Sequence, residues 1–386
     1  MSAPSIPNLL SLRGKSGGPS RRGRPGPGPG SSRTSGASAA SHDAVVQGTD
    51  DDAAVSRLSA VELGYLTDPF AGYFAGSSGG RGPTRRLPII NRGTYTRTWA
   101  LDRLVAGFLR SAAEVGRGAQ IVSLGAGTDT RALRLFAQRQ QQRQQVDVDL
   151  VYHEVDFPRT AAQKLATVRA HQALLDVLPD PREAEGASGA GQGAASVKTW
   201  TSAPGAGGRY FCHGVDLRHL GTAAGAGEGD VELSGLRAGV PTLLLSECCL
   251  CYLEAHEARR VVAYFAGRVA DLGVAVYEPV RPDDAFGRMM VSNLAARGIR
   301  MPTLEEYRAP QDQEERLRTA GLEKTSARTV AWLWGRWVPE EEKARVDRLE
   351  GLDEVEEWEL LADHYVIAWG WRGEGFAQWE SQDLKV

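Results

Sequence analysis

Two glycines in a short segment are the first residues whose spacing indicates a binding site. Gly125 and Gly127 lie in Ile121–Arg131, after a short apolar run that is typical of a buried strand and before the predicted start of a helix. Glycines at such a turn let a ligand approach the backbone and the N-terminus of the following helix. A single G-x-G is a weak signal, so other parts of the chain must supply matching polar groups.

Acidic residues follow three further apolar runs that are predicted to be strands. Asp156, Asp216 and Glu247 each follow one of these runs within two residues. Open parallel sheets bind ligands at the carboxyl ends of their strands, so we expect these carboxylates to lie close together. Each acid alone is better explained as a turn or cap residue, but acids after three successive strands favour a binding site.

These carboxylates restrict the nucleotide that the site could bind. An acid after the second strand suits the ribose of a nicotinamide dinucleotide or of S-adenosylmethionine. A pyrophosphate favours bare backbone at the helix start, whereas here Thr130 replaces the third glycine and Asp129 adds a negative charge. S-adenosylmethionine carries a sulfonium and an ammonium group and no phosphate, so clustered carboxylates are compatible with it. The pattern therefore favours a methyltransferase over a nicotinamide-dependent enzyme.

Strand and helix patterns alternate along the part of the chain that must position these groups. Apolar residues recur at helical spacing over Leu101–Leu109 and Val261–Val269, with short apolar runs between them. This alternation predicts an α/β fold with a doubly wound, mainly parallel sheet and additional N-terminal and C-terminal covering segments. We expect one domain over residues 49–386, with flexible glycine- and alanine-rich insertions near 185–195 and 221–229.

In the C-terminal part of the chain, the sequence predicts a charged helical stretch over Arg345–Asp363, which is followed by an apolar alternation over His364–Trp371. Several tryptophans lie in this part of the chain. We interpret them as core residues, in preference to a stacking surface for nucleic acid. They are Trp332, Trp334, Trp337, Trp358, Trp369 and Trp371.

Residues 1–48 differ in composition from the rest of the chain. They are rich in Gly, Pro, Ser and Arg, and their first acidic residue is Asp43. Such a composition cannot bury enough apolar surface to offset the entropy of ordering. We predict a disordered basic tail that turnover does not need, and we favour a solvated segment over a nuclear signal or a transit peptide.

Charge and cysteine content exclude several classes of protein. Lys and Arg total 45 against 48 for Asp and Glu, and the net charge of -3 gives no general attraction for nucleic acid or anionic lipid. No apolar run reaches the roughly 20 residues of a membrane helix. Three of the four cysteines are Cys248, Cys249 and Cys251, and the histidines are scattered. We therefore expect a reduced intracellular protein without a metal site.

Motifs along the chain resemble those of the leucine carboxyl methyltransferase family, and their order and spacing agree with it. They cover nearly all of the predicted folded part, from Thr49 to Trp371. The matching segments are Thr49–Ala53, Leu63–Phe70, Asn91–Arg97, Leu124–Thr130, Glu154–Pro158, Val215–Arg218, Ser246–Tyr252, Tyr277–Glu278 and Asp284–Gly287.

The resemblance implies a class I methyltransferase-like fold and a specific reaction. Family members methylate the alpha-carboxylate of the C-terminal leucine of protein phosphatase 2A catalytic subunits, with S-adenosylmethionine as methyl donor. In these members an arginine that matches Arg97 holds the methionine carboxylate, and Arg57 stands where the pattern more often has a lysine. The cofactor-binding residues implied are Arg57, Arg97, Gly125, Asp156, Asp216, Leu217 and Glu247.

The implied reaction needs no general base. A C-terminal carboxylate has a reference pKa of about 3.3 to 3.7 and is already ionised at neutral pH, so alignment and exclusion of water can provide the catalysis. We expect no catalytic side chain, we interpret His153 and His213 as structural, and Tyr252 and Tyr277 are candidate substrate contacts.

Two alternatives stay open at this point. One is a methyltransferase of the same family that acts on a carboxyl group of a modified transfer RNA base, although such enzymes carry a further repeat domain. The other is a noncatalytic protein that binds phosphatase tails. We expect a cytoplasmic monomer, with the nucleus as a second compartment, whose partner is a protein phosphatase 2A-type catalytic subunit and which binds neither nucleic acid nor membrane.

Overall fold

The computed structural model describes residues 35–75, 85–141, 149–184, 198–205, 207–222, 231–353 and 355–383. Its helices and strands follow one another in this order: α1 (Ser35–Glu62), α2 (Ala71–Phe74), α3 (Pro88–Val115), β1 (Ala119–Leu124), α4 (Arg131–Gln141), β2 (Leu150–Asp156), α5 (Pro158–Ala170), α6 (Gln172–Leu175), β3 (Arg182–Glu183), β4 (Lys198–Ser202), β5 (Arg209–Gly214), β6 (Thr242–Glu247), α7 (Ala255–Ala266), β7 (Leu272–Pro279), α8 (Ala285–Ala295), α9 (Thr303–Glu306), α10 (Pro310–Thr319), β8 (Lys324–Thr329), α11 (Val330–Trp337), α12 (Glu340–Asp347), α13 (Val355–Asp363), β9 (Tyr365–Arg372) and α14 (Ala377–Asp383).

The strands form one mixed sheet with the order β3-β4-β5-β2-β1-β6-β7-β9-β8. The five strands from β5 to β7 are parallel neighbours. Strand β4 is antiparallel to β5, and β9 is antiparallel to both β7 and β8. The direction of strand order reverses at β1, which pairs with β2 on one side and β6 on the other, and such a switch point opens a crevice at the carboxyl ends of the strands. The predicted α/β fold with a mainly parallel sheet is confirmed.

Alternate residues of the buried strands supply two cores, one on each face of the sheet. Ile121 of β1 packs in a cluster with residues of α3, α4 and α5, whereas the next residue, Val122, packs in a second cluster with residues of α7. This is the twofold periodicity of a strand that is covered on both faces. Four of the six tryptophans singled out above are buried in the first cluster and the other two pack against it, which confirms their interpretation as core residues.

The C-terminal strand is part of the interior of the sheet. Strand β9 lies between β7 and β8, and α14 then packs against α3. The indole Nε1 of Trp379 donates a hydrogen bond of 2.8 Å to the carbonyl of Leu104 in α3. This bond and the packing attach α14, the last described helix, to α3 near the start of the fold.

The N-terminal boundary differs from the prediction. The predicted disordered tail extends to residue 48, but Ser35–Glu62 form a single helix, α1. Val45 and Val46 pack against the core, and Asp43 pairs with Arg218 at 2.7 Å, so contacts with the rest of the fold override the weak local pattern. Residues 1–34 lie outside the described residues.

Two further predictions bear on the loops and the C-terminal helices. The insertion near 185–195 and most of the one near 221–229 lie outside the described residues. The charged stretch Arg345–Asp363 is not one helix, because Gly351 lies between α12 and α13, and glycine disfavours a helix interior by about 1 kcal/mol. Strands β4 and β8, which have polar sequences, are additions that the apolar pattern did not predict.

Among the residues that the structure describes, no helix is both long and apolar enough to cross a bilayer.

Candidate active site

A cavity of about 690 Å³ opens at the switch point of the sheet. Its walls include the turn after β1, the residues at or after the ends of β2, β5 and β6, one side of α1, parts of α3 and α7, and the loop between α8 and α9. The structure brings to this cavity all seven residues that the resemblance assigns to the cofactor: Arg57, Arg97, Gly125, Asp156, Asp216, Leu217 and Glu247.

The glycine turn has a backbone conformation that other residues adopt only with strain. Gly125 has φ 61° and Gly127 has φ 46°, both in the left-handed region. A Cβ atom on Gly125 would lie 2.5 Å from the Sγ of Cys249, and one on Gly127 would lie 2.2 Å from the Oδ1 of Asp50. The turn therefore requires glycine at both positions, and it exposes bare backbone to the cavity.

Asp156 is fixed at the end of β2 by two backbone amides. Its carboxylate accepts hydrogen bonds from the N–H groups of Gly127, at 2.8 Å, and Phe157, at 2.7 Å. Burial raises the pKa of Asp156 to about 6; the backbone bonds oppose the shift, and the nearby Asp50 adds to it. The side chain is therefore a constrained acceptor whose ionisation falls within an accessible pH range.

Helix α1 closes the turn from the opposite side. The Oδ1 of Asp50 accepts hydrogen bonds from the backbone N–H of Thr128, at 2.8 Å, and from its hydroxyl, at 2.7 Å. Burial raises the pKa of Asp50, although both bonds to Thr128 oppose the shift. His42 to Gln47 lie within the segment predicted to be a disordered tail, yet they supply five residues of the wall.

Asp216 and Leu217 form another end of the cavity. Asp216 caps the short 3₁₀ helix Leu217–His219 by accepting a hydrogen bond of 2.9 Å from the backbone N–H of Arg218. The guanidinium of Arg218 donates to Asp216 at 2.5 Å and to Asp43 of α1 at 2.7 Å. The buried side chain of Leu217 offers an apolar surface beside these charges.

A buried arginine that sequence reasoning missed holds Glu247 in place. The Nη1 of Arg131 donates to Glu247 at 2.7 Å and to Asp129 at 2.8 Å, and its Nε donates to Asp102 at 2.9 Å. Its side chain is only 2% exposed. Burial by itself lowers the pKa of Arg131, but the three carboxylates raise it well above its ordinary value. The signal was the acidic cluster itself, since buried carboxylates require a buried cation.

The two arginines predicted to bind the cofactor carboxylate have different surroundings. Arg57 is paired with Asp68, with 2.5 Å between Nε and Oδ2. The Nε of Arg97 lies 3.4 Å from Glu247 and is buried without a hydrogen-bond partner in the described part of the chain. Burial lowers the pKa of Arg97, but the charge of Glu247 outweighs it and the net shift is upward. Arg97 is thus a permanent cation with unused hydrogen-bonding capacity.

The two candidate substrate tyrosines lie at different depths. Tyr252 lines the cavity. Tyr277 lies behind Arg97, with its ring centroid 5.3 Å from the Cζ of Arg97, and it stacks on Tyr365. Tyr277 does not line the main cavity but borders a small void of about 20 Å³ that it shares with Arg97. Its position favours support of Arg97 over direct contact with a substrate.

The paired histidines lie on the neighbouring strands β2 and β5 and do not line the cavity. The Nδ1 of His153 and the Nε2 of His213 are 3.0 Å apart, and both side chains are fully buried. Burial lowers the pKa of His213 to about 3 and lowers that of His153 well below its ordinary value. Both rings are neutral at physiological pH, as expected of structural residues.

The family model for leucine carboxyl methyltransferase matches residues 37–266. The chain belongs to the leucine carboxyl methyltransferase family. Its relatives include leucine carboxyl methyltransferase 1 of Aspergillus fumigatus, 46% identical over 393 residues, which span 96% of this chain and 94% of the relative. The enzyme of that name from Emericella nidulans is 46% identical over 398 residues, spanning 96% of this chain and 95% of the relative. Family membership confirms the predicted methyltransferase-like fold and the class of activity, which is methylation of a carboxyl group.

Solved structures resemble the chain weakly. One is a putative methyltransferase from Thermobifida fusca YX, with a TM-score of 0.39 and 14% identity over 72% of this chain and 82% of that chain.

The described residues contain no group of three or more His, Cys, Asp or Glu side chains placed to hold a metal ion.

Proposed function

We propose that this chain transfers the methyl group of S-adenosylmethionine to the alpha-carboxylate of the C-terminal leucine of a protein phosphatase 2A-type catalytic subunit. The observation that carries the proposal is the convergence of three strand-end carboxylates and a left-handed glycine turn on one cavity, in a chain of a carboxyl methyltransferase family. The phosphatase as substrate rests on the resemblance in motifs.

The residues present fit S-adenosylmethionine. Asp156 offers carboxylate oxygens to ribose hydroxyls, and Leu217 offers an apolar surface to an adenine ring. The unpartnered Nε of Arg97 and its guanidinium suit the methionine carboxylate, and Glu247 suits the ammonium group. When bound, S-adenosylmethionine supplies a methyl group on a positively charged sulfur.

The chain contributes position and a dry environment to the reaction. The acceptor carboxylate reaches the site already ionised, so no residue has to remove a proton from it. Arg131 holds Glu247, and Tyr277 supports Arg97, so the polar groups of the wall have defined positions before ligands bind. Helix α1 covers one side of the cavity. A bound substrate that displaced water from this cavity would leave both reacting charges less solvated than in bulk water.

Two measurements test the function. Calorimetry with the full chain should show binding of S-adenosylmethionine or S-adenosylhomocysteine and none of NAD. Incubation with labelled S-adenosylmethionine and a phosphatase catalytic subunit should give an ester that mild alkali cleaves. Binding of NAD, or methylation of transfer RNA in place of the phosphatase, would contradict the proposal.

The base-free mechanism has its own test. In single-turnover assays between about pH 6 and 9 the methyl-transfer step should show no rise from deprotonation of a base, because the acceptor is ionised throughout. A substrate with an amidated C-terminus should accept no methyl group. Methylation of the amide, or a steep rise near pH 7 that disappears when His153 or His213 is replaced, would exclude this mechanism.

The proposal includes the compartment and the assembly. We place the enzyme in the cytoplasm, with the nucleus as a second compartment, and expect a monomer that binds neither nucleic acid nor membrane. Cell fractionation and size-exclusion chromatography with light scattering test these points.

A further inference from the structure

The cavity has a predominantly negative lining. Among the described residues that line it, eight carry carboxylates and four carry guanidinium groups. Such a lining attracts a cationic ligand but opposes the approach of a peptide that ends in a carboxylate. An anionic substrate terminus therefore needs a positive group near the entrance.

Three of the four arginines are already engaged with carboxylates. Arg57 pairs with Asp68 at 2.5 Å and Arg97 with Glu247 at 3.4 Å. Arg218 is held by the two carboxylates described above, at 2.5 Å and 2.7 Å. The charges of these arginines are thus largely balanced within the wall.

Arg300 is the exception. Its side chain is exposed and also lines the cavity, which places it at the entrance. Within the described ranges it has no ion pair, side-chain hydrogen bond or ring contact. It follows α8 in the loop whose residues Gly298 and Pro302 also line the cavity.

This loop faces the first half of α1. A Cβ atom on Gly298 would lie 3.7 Å from a methyl group of Val45, so the loop and the helix are adjacent there. His42 precedes Val45 by three residues, on the same side of the helix, and also lines the cavity. The Nε2 of His42 is buried and has no hydrogen-bond partner in the described part of the chain. The entrance between α1 and the loop therefore presents the cation of Arg300, whereas the unpartnered nitrogen of His42 is enclosed in the wall.

We propose that Arg300 attracts the C-terminal carboxylate of the protein substrate to this entrance, before that carboxylate moves inward to the methyl donor. This inference rests on the proposed function and adds to it the residue that selects a free carboxyl terminus. The contact is ionic and exposed, so it affects association and KM, weakens with salt, and leaves the methyl-transfer step unchanged.

The test uses a fluorescent peptide with the C-terminal sequence of a phosphatase catalytic subunit, in free-acid and amide forms. Anisotropy is measured with the full-length enzyme saturated with S-adenosylhomocysteine, at about 20 mM and about 300 mM salt. Arg300→Gln should weaken binding of the acid peptide about three- to tenfold at low salt, and Arg300→Glu should weaken it further. The difference should shrink at high salt, and the amide should bind all variants alike.

Arg288→Gln is the matched control, because Arg288 is an exposed arginine of α8 that does not line the cavity. It should behave as wild type, and calorimetry should give an unchanged affinity of Arg300→Gln for S-adenosylhomocysteine. Equal binding of the acid peptide by wild type and Arg300→Gln at low salt, or an equal loss in Arg288→Gln, would overturn the inference. A wild-type enzyme that binds neither peptide and methylates no phosphatase would overturn the proposed function, and this inference with it.

Discussion

Cofactor affinity should fall with acidification through the ionisation of Asp156. Only the ionised carboxylate can accept from two backbone amides and also from ribose hydroxyls, since a protonated carboxyl uses one oxygen as a donor. Burial raises the pKa of this group to about 6 in the ligand-free cavity. Binding of the ribose should therefore compete with protonation just below neutral pH.

The pKa sets the size of the effect. With a value of about 6, roughly nine-tenths of the carboxylate is ionised at pH 7 and roughly one-tenth at pH 5. If binding requires the ionised form, the dissociation constant for S-adenosylhomocysteine rises nearly tenfold between these pH values, which corresponds to about 1.3 kcal/mol. The free energy of unfolding of the unliganded protein has the opposite pH dependence. A carboxyl group whose pKa is raised by folding stabilises the fold below its unfolded pKa, and this stabilisation is lost as pH rises through about 6.

Calorimetry at pH 5, 6, 7 and 8 measures this dependence, with thermal unfolding followed at each pH. Asp156→Asn should bind S-adenosylhomocysteine more weakly at pH 7 by about 1.5 to 3 kcal/mol and should lose the slope between pH 5 and 7. Asp51→Asn is the control, because Asp51 is an exposed acid of α1 outside the cavity lining, and it should keep the wild-type profile. An equal slope in wild type and Asp156→Asn would refute the assignment of Asp156 as the ribose acceptor.

Four further substitutions and truncations test other parts of the site. Arg97→Lys should weaken cofactor binding although the charge is kept, because an ammonium cannot bind a carboxylate with two parallel hydrogen bonds. A wild-type affinity of this variant in calorimetry would contradict this. Arg131→Met should lower the free energy of unfolding by about 3 to 5 kcal/mol in urea titrations, because it leaves buried carboxylates unpaired; a loss below about 1 kcal/mol would show that the network is not needed. Gly127→Ala should impair cofactor binding because its Cβ would lie 2.2 Å from Asp50, whereas Gly48→Ala, with open space around it, should not. Removal of residues 1–48 should weaken cofactor binding because it removes part of the cavity wall, whereas removal of residues 1–34 should leave it unchanged.

The strand-end rule predicted much of the site because it depends only on local patterns. Each acid follows a run of apolar residues, and parallel strands bring such positions together whatever the distance along the chain. Asp156, Asp216 and Glu247 meet at one cavity for this reason. The motif resemblance then assigned Arg57 and Arg97, which no periodicity could have connected to the sheet.

The contributions of α1 and Arg131 could not be read in the same way. The first half of α1 has too few apolar residues for a helical pattern, and it is helical because Val45, Val46 and Asp43 contact the rest of the fold. Arg131 opens α4 in sequence and looks like an exposed helical arginine. Its burial follows from Glu247, which is 116 positions away and therefore outside any local window.

The interior position of β9 has a consequence for synthesis of the protein. A ribosome delivers β7 well before β9, and until β9 emerges one edge of the parallel strands has no partner. Unpaired strand edges and exposed apolar surface favour association with other chains. A nascent chain stalled before residue 365 would carry such an edge, so we expect this protein to depend on chaperones while it is being translated and to be intolerant of premature stop codons even far beyond the last cavity residue.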